Sequence, residues 1–195
     1  NIGNLNNSTI LDVGCGFGYF LTYLKKHKKR IDYTGIDINS KFIEIAKKQH
    51  KKEKFEIRDI EKQKFKKKFD WVFAVGLASK ADSYEYLESL LNEMCKIAKK
   101  GVVMDFVTDY VDYKNKGTFY SSPEKIFKIS KKISKRVVLR HDYLPYEFCA
   151  VDMNRLEMLD QELTFTDCFA GIYQFNAIPI EQQNYFLKAT YEKLY

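Results

Sequence analysis

One stretch, Ile10-Leu11-Asp12-Val13-Gly14-Cys15-Gly16-Phe17-Gly18-Tyr19-Phe20, restricts the folds open to this chain more than any other. Ile10, Leu11 and Val13 form the short apolar run that a buried parallel strand needs, and a glycine turn follows at once. Phe20, Leu21 and Leu24 then recur at helical spacing. Strand, glycine turn and helix in that order make a cradle for a nucleotide-type ligand. The glycines allow positive φ and close backbone approach, and the helix N-terminus presents N–H groups. The glycines fall at 14, 16 and 18, whereas a dinucleotide fingerprint would set its third at 19, which is Tyr19.

Downstream, strands and helices alternate. The spacing predicts a helix over about 19–29, a strand over 31–36 with Asp37 at its end, and a helix capped by Asn39 or Ser40. A third strand, 55–58, ends at Asp59, and a fourth, 69–75, is stopped by Gly76. Asp82-Ser83-Tyr84-Glu85 reads as a capping box opening a helix to about Ala98, which Gly101 breaks before a strand over 102–107. A helix starts at Ser122-Pro123-Glu124. A strand over 136–141, a turn at Pro145 and a hairpin partner over 147–153 follow. This order predicts a three-layer α/β domain over 1–153 with a mainly parallel, seven-stranded, Rossmann-like sheet. Residues 154–195 carry Phe165, Phe169, Ile172, Tyr173 and Phe175, too apolar for a solvated tail. They are expected to dock as a C-terminal extension, either a lid or the contact of a homodimer.

At 195 residues the chain is long enough for one sizeable core. It holds no apolar run of membrane-spanning length and no signal-peptide pattern, so no membrane partner is expected. Cys15, Cys95, Cys149 and Cys168 are scattered without ligand-like spacing. Reduced thiols in a cytoplasmic setting are expected, with no metal site, and Cys15 is expected to serve the glycine loop as a small packing residue.

Asp12-x-Gly14-x-Gly16-x-Gly18, followed by Asp37 and Asp59 at later strand ends, resembles the cofactor half of class I S-adenosylmethionine-dependent methyltransferases. The resemblance spans about residues 8–153. It implies that the loop of Gly14, Gly16 and Gly18 holds the methionyl part of S-adenosyl-L-methionine. It also implies that Asp37 accepts from the two ribose hydroxyls and Asp59 from the adenine amino group, with Asp12 acting near the methionine end through water or backbone. It further sets Cys15, Ile38, Ile60, Val75 and Gly76 around the cofactor. Carboxylates suit paired hydroxyls and amino groups as acceptors, although Asp59 also reads as a plain turn residue. Ser122–Phe127 and Arg140–Phe148 resemble small bacterial methyltransferases of surface-polysaccharide clusters, implying a role in polysaccharide biosynthesis. Members of the family usually carry helical sequence before the first strand. Here that strand comes within a few residues of Asn1, so an upstream segment is expected to be missing and closure of the pocket to fall to 154–195.

The net charge of +7 raises a nucleic-acid partner. Yet the basic runs 25–30, 47–54, 62–68, 96–100 and 131–136 all precede strands, on the edge away from the ligand. Residues leaving strands are acidic and aromatic: Asp12, Asp37, Asp59, Asp82, Asp109 and Asp112, with Tyr110, Tyr113 and Tyr120. Phosphate binding needs cations near the reacting edge. Residues 74–79 also lack the Asn/Asp-Pro-Pro-aromatic pattern of base-amino methyltransferases. A small hydroxyl or amine acceptor, such as a sugar nucleotide or surface-glycan precursor, is therefore expected. An RNA or other nucleic-acid methyltransferase and a non-catalytic cofactor-binding partner are the alternatives. For a general base, His141 at a strand end competes with Asp105 and Asp109, which leave the more central fifth strand.

Overall fold

The computed structural model describes residues 5–153. The expected extension over 154–195, with its lid or homodimer role, lies outside the described residues.

The chain runs β1 (Ser8–Val13), α1 (Tyr19–Lys26), β2 (Ile31–Asp37), α2 (Ser40–Gln49), β3 (Lys54–Ile57), β4 (Phe69–Ala74), α3 (Tyr84–Ile97), β5 (Ala98–Thr108), β6 (Tyr120–Ser121), α4 (Pro123–Ile133), β7 (Arg136–Leu144) and β8 (Glu147–Met153). The sheet order is β3-β2-β1-β4-β5-β8-β7, with β6 pairing β5 off that path. Among the described strands, only β8 runs antiparallel to its neighbours, β5 and β7. The β6 pairing adds an eighth strand to the expected seven. It consists of two positions, Val107↔Tyr120 and Thr108↔Ser121, too few to leave a periodic trace in the sequence.

Alternation along the strands divides the core into two faces. Leu11, Val72, Met104 and Phe106 pack with Leu87, Leu90, Leu91 and Met94 of α3 and Ile126 of α4. Ile10, Tyr33, Trp71, Phe73, Val103 and Cys149 pack with Phe20, Leu21 and Leu24 of α1 and Ile43 and Ala46 of α2. Each large apolar side chain buried this way contributes about 1.5–3 kcal/mol, so these two layers dominate the stability.

Several expectations need correcting. Gly101 does not end α3. The helix stops at Ile97, because Ala98 turns to extended geometry (φ −82°, ψ 136°), and Gly101 lies inside β5. A side chain at Gly101 would come within 2.7 Å of the Asp152 carbonyl oxygen and 2.8 Å of the Trp71 ring, so close packing, not chain breaking, explains the glycine. The capping box reduces to one cap: Ser83 accepts from the Tyr86 amide at 3.2 Å, which makes Tyr86, not Glu85, the third helical residue. Asn39 is the cap of α2, accepting from the Lys41 and Phe42 amides. The first helix stops at Lys26, short of 29, and β7 continues to Leu144, beyond 141.

Candidate active site

Strand order reverses between β1, which leads to β2 and β3, and β4, which leads to β5. In open α/β sheets the crevice at such a point, beyond the strand C-termini, takes the ligand. The loop after β1 lines one side. Gly14, Gly16 and Gly18 all adopt positive φ (72°, 53° and 82°). The amides of Gly14 and Cys15 both donate to the Ile36 carbonyl, at 2.8 and 3.0 Å, which folds the loop onto the end of β2. The Cys15 side chain is buried beneath it, in contact distance of Gly35. Gly18 occupies the N-cap position of α1, and no side chain caps that helix.

Asp37, the last residue of β2, is tied to this loop. Its Oδ2 accepts from the Gly16 amide at 3.0 Å and its Oδ1 from the Asn39 amide at 2.8 Å. Ile38, next in the chain, is 75% exposed, an apolar surface beside that carboxylate. A Cβ at Gly16 would meet nothing within 4 Å, and the same holds at Gly76, φ 75°, just past β4. Two glycines facing open space, one after β1 and one after the neighbouring β4, are what a ligand lying against backbone requires.

Asp12 lies lower, buried between β2 and β4, where the Tyr33 hydroxyl donates to its Oδ2 at 2.5 Å. Burial pushes its carboxyl up to about 7, against the Tyr33 hydrogen bond. Across the crevice, Oδ1 of Asp105 accepts from the Gly76 amide at 2.7 Å. Val75, beside Gly76, packs partly buried against the α1-side core.

The remaining expected site residues have partners of their own. Asp59 lies two residues beyond β3. Its Oδ1 accepts from the Glu61 and Lys62 amides, and its Oδ2 pairs with the Lys62 ammonium at 3.0 Å, so both oxygens serve a turn. Ile60 is buried in the α3-side core. His141 sits within β7, the outer strand, with β4, β5 and β8 between it and β1. Its ring stacks on Tyr110 (6.2 Å between centroids) and leans on Phe148 (5.7 Å), a residue of the α3 face, while Asp105 shares the α1 face with Val103 and Cys149. His141 and Asp105 therefore lie on opposite faces of the sheet. Asp109 follows β5 directly and has one buried carboxylate oxygen without a hydrogen-bond partner.

Among the described residues, every exposed large apolar side chain except Phe127 lies on the ligand edge: Tyr19, Ile38, Ile57, Tyr110, Tyr113 and Tyr146. Lysines fill the last turns of α1, α2, α3 and α4 at the other edge, and several pair with glutamates, as Lys25 does with Glu53 and Lys132 with Glu88. Lys62, paired to Asp59, is an exception, as are Arg58, Lys80, Lys114 and Lys116, which also follow strands. Sequence reading passed over Glu147 and Tyr33. A glutamate opening a strand reads as solvent-facing, and only the β5–β8 register reveals its burial.

A doubly wound sheet with a glycine loop at its switch point and an acid at the end of the second strand defines the class I methyltransferase architecture. The methyltransferase-domain family matches residues 4–145, and the chain belongs to it. A candidate methyltransferase of Mycobacterium tuberculosis, Rv1506c, is 29% identical over 153 residues, covering 72% of this chain and 89% of its own. A tRNA (guanine-N(7)-)-methyltransferase of Clostridium botulinum is 25% identical over 172 residues, covering 83% of this chain and 77% of its own. Among solved structures, the magnesium protoporphyrin IX methyltransferase of Synechocystis with bound S-adenosylmethionine superposes with a TM-score of 0.60 at 17% identity, over 78% of this chain and 72% of that one. A complex of DhpI with S-adenosylhomocysteine gives 0.61 at 18% identity, over 78% and 80%. The chain is an S-adenosylmethionine-dependent methyltransferase.

Proposed function

We propose that the chain methylates a small-molecule hydroxyl or amine, such as a sugar nucleotide or other surface-glycan precursor. One observation carries this reading: exposed aromatic side chains lie along the ligand edge with Asp37 and Asp105 beside the crevice, while the longest lysine runs fill the helix ends at the opposite edge. An acidic, aromatic rim attracts a sulfonium and stacks on small polar rings, but it repels a phosphate backbone.

Gly14, Gly16 and Gly18 would hold the methionyl part of the cofactor against bare backbone, and Asp37 the ribose. Ile38 would cover one face of the adenine, and Val75 and Gly76 the opposite wall. The open space above Gly16 and Gly76 fits such a ligand. When bound, S-adenosylmethionine supplies a methyl group already activated on sulfur, so the protein's main task is to line up the acceptor. Asp105 and Asp109 are the better-placed bases. His141, across the sheet and on its outer strand, is assigned to packing with Tyr110 and Phe148.

The competing reading is a tRNA methyltransferase, favoured by a relative that covers 83% of this chain. Incubating the full chain with methyl-labelled S-adenosylmethionine and a panel of nucleotide sugars, amines, alcohols and tRNA separates the two. Label is expected in a small acceptor. Label in tRNA, falling steeply with salt, would replace this reading with the other.

A further inference from the structure

On the acceptor side of the crevice lies a pair of buried carboxyls. Asp105 is 5% exposed and Glu147 8%. The β5–β8 register sets Asp105 opposite Cys149 and Val107 opposite Glu147, so the two acids are diagonal neighbours on one face. Such neighbours stand roughly 7–8 Å apart at the backbone, a gap that long side chains close. The two carboxyls differ in their partners. Asp105 is held by the Gly76 amide at 2.7 Å, beside open space. No hydrogen bond to the Glu147 carboxyl is found among the described residues.

Burial raises both carboxyls, against the Gly76 amide for Asp105 and with the Asp105 charge for Glu147. Asp12 from β1, Tyr143 from β7 and Cys149 from β8 also face Asp105. Tyr143 faces Glu147 as well, and Arg140 of β7 bears on Cys149. No cation among the described residues offsets either acid. Two neighbouring carboxyls on one dry face each disfavour the other's ionisation, and the one with an amide donor keeps the charge more readily.

We propose that Asp105 and Glu147 share a single proton and form the proton acceptor of the reaction, Asp105 as the carboxylate that takes the proton and Glu147 as the neutral acid that orients the acceptor. The proposal rests on the reading of this edge as the methyl-transfer site. As the bond between the methyl carbon and the acceptor atom forms, the carbon–sulfur bond breaks and its electron pair stays on sulfur. The acceptor's O–H or N–H proton passes to Asp105, and the pair then returns one proton to water. The positive charge lost from the sulfonium leaves as that proton. This assignment narrows the substrate class to acceptors whose reacting atom has both a lone pair and a proton to give up, a hydroxyl or a neutral N–H amine. A ring-nitrogen lone pair such as guanine N7 brings no proton for the pair to take.

The test uses the full chain with ¹³C-labelled carboxyl groups. At pH 7.5 the wild type is expected to show a protonated carboxyl that disappears in Glu147→Gln, a comparison that separates it from Asp12. Glu147→Gln is also expected to bind S-adenosylhomocysteine within threefold of wild type. With any small acceptor that takes label, Asp105→Asn is expected to lower kcat by about 10²–10⁴-fold while KM changes less than threefold. Both acids fully ionised at pH 7.5 in the folded wild type, or an unchanged kcat in Asp105→Asn, would overturn the proposal. Failure of the folded wild type to bind S-adenosylhomocysteine is a separate outcome. It removes the underlying reading and leaves the carboxyl titration as observed.

Discussion

His50 stands directly behind Gly18: a Cβ built on that glycine would come within 2.9 Å of the imidazole Cδ2. The imidazole is itself fixed, its Nε2 3.2 Å from the Thr22 hydroxyl, which donates to the Gly18 carbonyl, and its ring stacked on Phe55. The glycine loop thus rests on a packed wall at its third glycine and faces open space at its second.

That contrast separates two substitutions. Gly18→Ala forces a side chain at φ 82° into His50 and is expected to destabilise the protein by about 2–4 kcal/mol, adding strain to overpacking. Gly16→Ala, at φ 53° with nothing within 4 Å, is expected to cost only about 1–2 kcal/mol of stability. It should nevertheless weaken S-adenosylhomocysteine binding at least tenfold. Thermal unfolding and calorimetry on both variants check the pattern.

Gly101→Ala tests why a glycine sits in the middle of β5. Its Cβ would meet the Asp152 carbonyl at 2.7 Å and the Trp71 ring at 2.8 Å. A loss of about 1–3 kcal/mol is expected in denaturant titration, with α3 intact by circular dichroism. A helix running on past Ile97 in this variant would restore the chain-breaking explanation.

Stability is expected to fall as pH rises from 7 to 9. Asp12 and the Asp105–Glu147 pair are raised by burial, so the folded state keeps protons that the unfolded chain has already lost. Raising the pH strips them and disfavours folding. The carboxyls held low, Asp59, Asp70 and Glu124 among them, are ionised in both states across this window and contribute no slope. His50, lowered by burial, acts in the opposite direction, and only below the ordinary histidine range. The buried thiols of Cys15, Cys95 and Cys149, also raised by burial, add to the loss in the upper part of the window. The loss from pH 7 to 9 is expected to be roughly 3 kcal/mol, of which Glu147→Gln should remove about half.

The sheet and its ligand edge were legible because they depend on local pattern: an apolar run, a glycine turn, then a helical stripe, repeated. Ile10 to Leu24 alone specify the first strand, loop and helix. What escaped depends on register and face. Gly101 looks the same in sequence whether it breaks a helix or clears room for Trp71. His141 and Asp105 look alike as bases until strand order and alternation set them on opposite faces of the sheet. Asp59 keeps its place at a strand end, where its carboxylate accepts from two turn amides and pairs with Lys62, the turn role that its residue type had also offered.

Cofactor binding depends most on the crevice between the glycine loop and Gly76, with Asp37 at its edge. Titration calorimetry with S-adenosylhomocysteine on the folded full chain, wild type beside Asp37→Ala, probes it directly. The wild type is expected to bind one equivalent, and Asp37→Ala at least tenfold more weakly, since a charged hydrogen bond contributes about 1.5–3 kcal/mol. Absence of binding by the folded wild type, or equal affinity in the two proteins, would contradict it.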